Sequence, residues 1–417
     1  MPPAAWKGNL ASLFVAQTCA MIAFSFVFPF IPLYVRDLGV TDNAAAARWA
    51  GAIGAASAVT MAIAQPFWGS LADRYGRRVM VLRSITAASV TLLLMGLARH
   101  PWQLLVLRLL QGAFTGTLAA SNALVATSVP RERLGSSLGL MQVALYGGTS
   151  VGPLVGGLIA DRLGYRASCF SAGGLMLVSL LLVVVFVRES FTPLPASALR
   201  LGVLADSRRL LAVPGLVLVM GVTFLIQYGN SAVTTILALF VHELANGIRA
   251  ASTAGAIMAG TGVASAVAAV LVGRLGDRLG HRRLLPACLL GAALVCLPQA
   301  FVRSPGELFA WRLALGLFLG GLMPSTNALL AGLVPPERRG SAFGLGATAV
   351  SLANAIGPLS GAFLGGALGM RSVFLATAAV YVVGLVFVLS RFRQLPRRMD
   401  NVMDNVPESL VPAETVE

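Results

Sequence analysis

GSLADRYGRRVM, residues 69–80, ends a long apolar run with one carboxylate and three arginines, framed by Gly69 and Gly76. The pattern returns 204 residues later as GRLGDRLGHRRLL, residues 273–285. The flanking sequence repeats as well. LYVRDL (33–38) returns as LFVHEL (239–244), and LLVLRLLQG (104–112) as LFAWRLALG (308–316). SNALVATSVPRERLGSSLGL (121–140) returns as TNALLAGLVPPERRGSAFGL (326–345). VGPLVGG (151–157) returns as IGPLSGA (356–362), and GYR (164–166) as GMR (369–371). An offset held between 204 and 206 through the whole chain identifies one duplicated unit.

Composition says what kind of unit this is. Only 11% of the 417 residues are charged and 57% are hydrophobic, against roughly 25% charged in soluble domains. The apolar residues fall in twelve blocks, near 9–35, 48–72, 79–98, 101–127, 136–161, 165–187, 213–241, 250–275, 284–302, 306–333, 341–368 and 371–390. Coiled as helix, each is long enough to cross a bilayer core of about 30 Å. The expectation is an all-α integral membrane protein of twelve spans in two six-helix repeats. Six is even, so both copies start on the same side and are parallel repeats about an axis along the membrane normal. The N-terminal half is read as 1–187, a linker as 188–212, the C-terminal half as 213–391 and an acidic, pattern-free tail as 392–417.

The net charge of +15 is distributed, not clustered. With the N-terminus inside, 21 of the 31 lysines and arginines fall in the inner segments. That bias places both termini in the cytoplasm. No basic segment has the aromatic interleaving of a nucleic-acid site. Cys19, Cys169, Cys288 and Cys296 all lie in apolar blocks without the spacing of a redox pair or zinc site, and the three histidines are scattered. No P-loop occurs, which argues against direct use of ATP. No metal, cofactor or catalytic constellation is expected.

Several residues ask for a physical role. Asp73 follows the second block at a helix end, and a carboxylate is favoured beside a helix N-terminus, where unpaired N–H groups and the dipole attract it. From there it would latch the eleventh block of the other half, and Asp277 the fifth. Gly76 permits the turn, while Arg77 and Arg78 would pair with Glu132, Glu337 or lipid phosphate. A solvated turn is the plainer alternative. Gly148, Gly152, Gly156 and Ala160 recur every four residues in the fifth block, and Ala353, Gly357, Gly361 and Gly365 in the eleventh. Such stripes let helices approach closely, and Pro153 and Pro358 bend them. The reading is a packed interface across which the two halves rock, with static packing as the alternative.

Arg108 and Arg312 are the only charges well inside apolar blocks. A buried charge costs at least ~2.5 kcal/mol, so it faces a cavity or a partner, unless it snorkels to the surface. No Asp or Glu lies in the interior of a block. Asp37 and Glu243, repeated at the outer mouths of blocks one and seven, are the nearest possible proton sites, with solvated turn residues as the plainer reading. Polarity in a cavity must come from neutral side chains, with Gln17, Asn122, Tyr146, Gln227, Tyr228, Asn230 and Asn327 as candidates and Phe24 and Phe224 as apolar walls.

Gly69, Leu71, Asp73, Arg74, Gly76, Arg77 and Arg78 fit the signature loop G-x-L-a-D-r-x-G-r-r, and with twelve helices in two halves the chain resembles the major facilitator superfamily. Leu104, Arg108, Gln111 and Gly112 fit its fourth-helix pattern. Gly148, Gly152, Pro153, Gly156 and Gly157 fit the fifth-helix pattern of its drug:proton antiporters. PFIPLYV and QPFWGSLADR are similar to MdtG-type multidrug exporters. One departure is that Thr127 and Ser128 stand where members often place an acid to pair with the loop. The resemblance implies a monomeric secondary exporter of lipophilic small molecules in the inner (plasma) membrane, exchanging them for protons among membrane lipid and alternating access between the halves. It implies a coupling role for Arg108. A transporter of one metabolite, such as a sugar or siderophore, and a membrane sensor without transport remain alternatives.

Overall fold

The computed structural model describes residues 5–130, 134–189, 212–246, 248–334 and 339–391. Their regular structure is helical. The first copy comprises α1 (Ala5–Val27), α2 (Ile31–Asp37), α3 (Asn43–Tyr75), α4 (Arg77–Gly96), α5 (Pro101–Phe114), α6 (Thr117–Ser128), α7 (Leu134–Leu163) and α8 (Tyr165–Phe186). The second comprises α9 (Leu216–Leu244), α10 (Ala250–Leu279), α11 (His281–Gln299), α12 (Pro305–Gly332), α13 (Arg339–Leu368) and α14 (Met370–Ser390). Among the described residues, eleven helical segments are long and apolar enough to cross a membrane. Residues 190–211 of the linker and the tail from 392 lie outside the described residues.

The twelfth expected span is present but broken. The fourth block is not one helix over 101–127; it stops at Phe114 and restarts at Thr117. Thr115 is extended (φ −90°, ψ −175°) and Gly116 takes φ +135°, a backbone that only glycine enters freely. The carbonyl of Ala113, which would have accepted from Thr117 in a continuous helix, accepts from Trp68 Nε1 at 2.7 Å. In the second copy α12 runs unbroken through the matching stretch. The first block is also divided, by a 3₁₀ turn at Phe28–Phe30 built on Pro29.

Duplicated sequence gives duplicated chemistry at the helix ends. Gly76 and Gly280, at φ +97° and +85°, precede α4 and α11. His100-Pro101 and Ser304-Pro305 open α5 and α12 with proline in the first turn. Gln103 Oε1 accepts from the Arg99 and His100 amides at 2.6 and 3.1 Å, and Glu307 Oε2 from the Arg303 amide at 2.9 Å. The repeated GYR and GMR triplets do one job. Arg166 Nη2 donates to the Ala98 carbonyl at 3.3 Å, and Arg371 to the carbonyls of Ala300 and Val302 at 2.8 and 3.0 Å. Each arginine thus satisfies the last carbonyls beyond α4 or α11.

The two faces of the bundle are identified here by their turns. The Gly76 face carries the charged loops, and the Gly164 face carries the turns after α2, α4, α7 and α9. Close approaches between the copies cluster toward the Gly164 face. A Cβ on Gly157 of α7 would lie 2.5 Å from the Ala251 carbonyl oxygen of α10, and one on Gly51 of α3 2.5 Å from Ala362 Cβ of α13. Gly255 packs against the Pro153 carbonyl, and Gly51 also against that of Pro358. The two seams are therefore copies of each other.

Candidate functional site

Between the copies lies a cavity of about 390 Å³. Phe24, Phe28 and Met61 give it apolar walls, and Ser57, Thr115, Thr149, Gln227, Asn230 and Asn354 give it polarity. Arg108 stands in its wall at 5% exposure. Its Nη1 donates to Gln111 Oε1 at 2.6 Å, and its guanidinium lies 5.1 Å from the Phe28 ring centroid. Its Nε has no hydrogen-bond partner. This is not a snorkelling side chain. Gly112 explains how Arg108 reaches the centre: a side chain there would collide with the Ser57 carbonyl and the Thr60 hydroxyl, so the glycine lets α5 lie on α3.

A second cavity of about 310 Å³ adjoins the first and shares Gln227, Asn230, Thr234 and Met258 with it. Arg312 stands in its wall at 3% exposure, and its Nε is likewise unpartnered. Cys296 and Tyr381 are its electrostatic neighbours, and both are neutral groups at pH 7. Among the described residues, no carboxylate lines either cavity. The duplicated arginine has thus been retained on both sides of one central space.

Of the neutral candidates, Phe24 lines the first cavity, Tyr146 the second, and Gln227 and Asn230 both. Gln227 Nε2 also donates to Asn354 Oδ1 at 2.9 Å. Gln17, Asn122, Phe224, Tyr228 and Asn327 line neither cavity. Gln17 is buried in α1 with its amide unpartnered, Phe224 stacks on Tyr228 at 5.9 Å, and Asn327 is exposed. Ser57, Met61, Thr115, Thr149, Ser231, Thr234, Met258 and Asn354 were missed by the sequence reading. Part of that set had a signal. Gln227, Asn230, Ser231 and Thr234 are spaced i, i+3, i+4, i+7, one face of an otherwise apolar helix.

The glycine stripes occupy a different interface from the one expected. Cβ atoms on Gly148 and Gly152 would lie 2.5 Å from Met21 Cβ and Ser25 Cβ, and one on Gly156 2.5 Å from the Phe26 carbonyl oxygen, all in α1 of the same copy. Gly357 and Gly361 meet α9 in the same way. The stripes hold each copy together. The face toward the other copy carries Ser150, Pro153 and Gly157, because a helix turns about 100° per residue and one face cannot serve both neighbours.

At the Gly76 face, α4 begins under a carboxylate. Glu189 accepts from the Arg77 amide (Oε1, 3.0 Å) and the Arg78 amide (Oε2, 2.8 Å). The Arg78 guanidinium donates to the Val184 carbonyl at 2.8 Å. Asp73 and Asp277 are on α3 and α10, but their side chains, and Gly69 and Glu337, fall outside what is described, as does Glu132. At the Gly164 face, Asp37 is exposed, and Glu243 Oε1 accepts from Asn43 Nδ2 of the other copy at 3.0 Å.

Known proteins resemble the chain in sequence and in fold. The sequence matches the Major Facilitator Superfamily over residues 13–246 and again over 219–412. It is 37% identical over 390 residues to the multidrug resistance protein MdtG of Enterobacter lignolyticus, covering 92% of both chains. It is 38% identical over 395 residues to MdtG of Citrobacter koseri, covering 94% of this chain and 97% of that one. The fold superimposes on a bacterial homologue of the human lysosomal transporter Spinster with a TM-score of 0.80 at 16% identity, over 94% of this chain and 98% of that one. Two matched halves, a cavity between them and relatives aligned nearly end to end lead to one assignment: the chain belongs to the major facilitator superfamily.

Proposed function

We propose that this protein is a drug-efflux transporter that works by alternating access and prefers lipophilic molecules carrying an anionic group. The MdtG relatives are multidrug resistance proteins, aligned over more than nine-tenths of this chain, which supports efflux over a sensor or an enzyme. Alternating access is supported by the seams. The copies touch closely toward the Gly164 face, and the bias of Lys and Arg toward the other side makes the Gly76 face cytoplasmic. The cavity is then loaded from the cytoplasm or the inner leaflet, and substrate leaves once the Gly164 face opens.

The observation that carries the substrate preference is the pair Arg108 and Arg312, buried beside the cavity with no carboxylate to neutralise them. No Asp or Glu lies in the interior of an apolar block of the sequence. At an effective dielectric of about 20, a unit charge 4 Å from a guanidinium gains or loses about 4 kcal/mol, against about 1 in water. An organic cation meets that as a penalty. An organic anion meets it as a gain, and the break at Thr115–Gly116 adds free helix N–H groups near mid-membrane. Proton exchange fits the family pattern. With no carboxylate in the cavity wall, the proton is taken up elsewhere than beside the substrate.

The test is uptake into proteoliposomes of three amphiphiles that share one apolar body and end in a carboxylate, an amide or an amine, with and without a pH gradient. The carboxylate should be moved fastest and be accelerated by the gradient. Preference for the amine would overturn the anion reading, and transport of none would overturn efflux.

A further inference from the structure

The seam at the Gly164 face contains a carboxylate that the motifs do not include. Asp161, in the last turn of α7, accepts from the second and third amides of α10 in the other copy: Ala251 N to Oδ1 at 3.2 Å and Ser252 N to Oδ2 at 2.7 Å. The residue at the cap position of α10 is Arg249, left-handed at φ +47°, and its side chain has no acceptor. A helix start normally takes its acceptor from its own Ser, Thr, Asp or Asn. The matching helix of the first copy does so, since Asp42 accepts from Ala44 and Ala45 at 3.3 and 2.8 Å. The duplication has diverged here: α3 is capped locally, and α10 is capped only when the two copies are together.

Geometry makes this a device and not an incidental contact. Asp161 lies one turn beyond Gly157, whose missing side chain lets the backbones of α7 and α10 meet at Ala251 and Ser252. The glycine brings the helices into range, and the carboxylate then binds the dipole end that arrives. On the other seam Glu243 of α9 accepts from Asn43 of α3 at 3.0 Å, so each copy lends one carboxylate to the other. Separating the Gly164 ends of the copies breaks both contacts and leaves the α10 amides without an acceptor.

We infer that Asp161 is a positioning residue for transport, a latch that holds the Gly164 face closed by capping α10 across the two copies. The inference rests on the alternating-access reading. Neutralising or truncating it should shift the balance between closed and open forms while the copies themselves stay folded.

The test is a distance measurement across that face in the full chain, reconstituted in lipid nanodiscs. Spin labels are placed at Leu97→Cys and Phe301→Cys, exposed positions one in each copy, in a Cys19→Ser background because the other three thiols are buried. Asp161→Ala should raise the ratio of long to short distances about fivefold, the size of a helix cap. Asp161→Asn, which keeps an acceptor oxygen, should raise it less. Asp42→Ala, which removes a cap within one copy, should lower the melting temperature without moving the ratio. A wild-type protein with two distance populations, unmoved by Asp161→Ala or moved equally by Asp42→Ala, overturns the latch. A single population in wild type under every substrate and pH condition overturns alternating access itself, and the latch with it.

Discussion

Trp68 Nε1 donates to the Ala113 carbonyl at 2.7 Å, directly beside the break that separates α5 from α6. The Arg83 guanidinium of α4 lies 3.5 Å over the Trp68 ring. One indole therefore satisfies the orphan carbonyl of a broken membrane helix and carries a cation from α4. In hydrocarbon a broken helix persists only where other groups take over its lost bonds.

Replacing Trp68 by Phe keeps an aromatic face for Arg83 and removes the hydrogen bond. A carbonyl left unsatisfied away from water costs about 1–3 kcal/mol, so thermal unfolding in detergent should shift down by a few degrees. Transport should fall as well, because Thr115 at the break lines the cavity. Wild-type stability in Trp68→Phe would mean that water, and not the indole, serves the Ala113 carbonyl.

The two glycine faces of α7 should separate in one experiment. Gly152→Leu drives a side chain into Ser25 and Ile22 of α1 and should lower folded yield and melting temperature together. Gly157→Leu drives it into Ala251 and Ser252 of the other copy. That variant should fold with near wild-type stability of each copy and lose transport at least tenfold, because the Gly164 face can no longer close. If Gly152→Leu is stable and inactive while Gly157→Leu is active, the faces have been assigned the wrong way round.

How much of this could be read from residues alone divides along physical lines. Twelve spans, the duplication and Arg108 as a charge needing a cavity follow from hydropathy and offset, which are properties of the chain by itself. The break at Thr115–Gly116 was not legible, since Gly320 and Gly321 in the second copy sit inside an unbroken helix. What decides is whether a donor such as Trp68 is there to receive the freed carbonyl. The glycine stripe was legible as close packing and not as to partner. A four-residue period says that one face is small but not which neighbour fills it, and α1 and α10 lie on faces one residue apart. Asp161 and Glu189 carry no signal in the sequence, because the helix starts they cap are 90 and more than 100 residues away.

Glu189 offers a simpler test of a cap at the Gly76 face. It holds the first two amides of α4 from three residues beyond the end of α8, and Asn9 of α1 holds the neighbouring Arg188 backbone through two bonds of 2.6 and 3.1 Å. Glu189→Ala should cost about 0.5–2 kcal/mol, the usual range for a lost cap, seen as a lower melting temperature. Glu189→Gln keeps one acceptor and should recover part of it. No recovery by Gln would show that charge, more than hydrogen bonding, is what α4 needs.

The arginine pair gives the most demanding expectation. Arg108 and Arg312 stand at matching places in the two copies, each with an unpartnered Nε, on cavities that share four residues. If both act on one anionic group, Arg108→Ala should weaken binding of the carboxylate amphiphile at least tenfold, about 1.4 kcal/mol, and leave its amide analogue within twofold. Arg312→Ala should do the same, and the double variant should lose less than the sum of the two losses, because residues acting on a shared charge are not additive. Arg108→Lys should recover only part of the affinity, since an ammonium lacks the planar fork that also bonds Gln111 at 2.6 Å. Ligand affinity and gradient-driven uptake, measured on the same purified variants, separate binding from coupling. An Arg108→Ala protein that binds the carboxylate normally but loses the pH response would assign Arg108 to coupling alone and leave Arg312 as the anion contact. Equal losses for carboxylate and amide would show that the arginines shape the cavity without reading its charge.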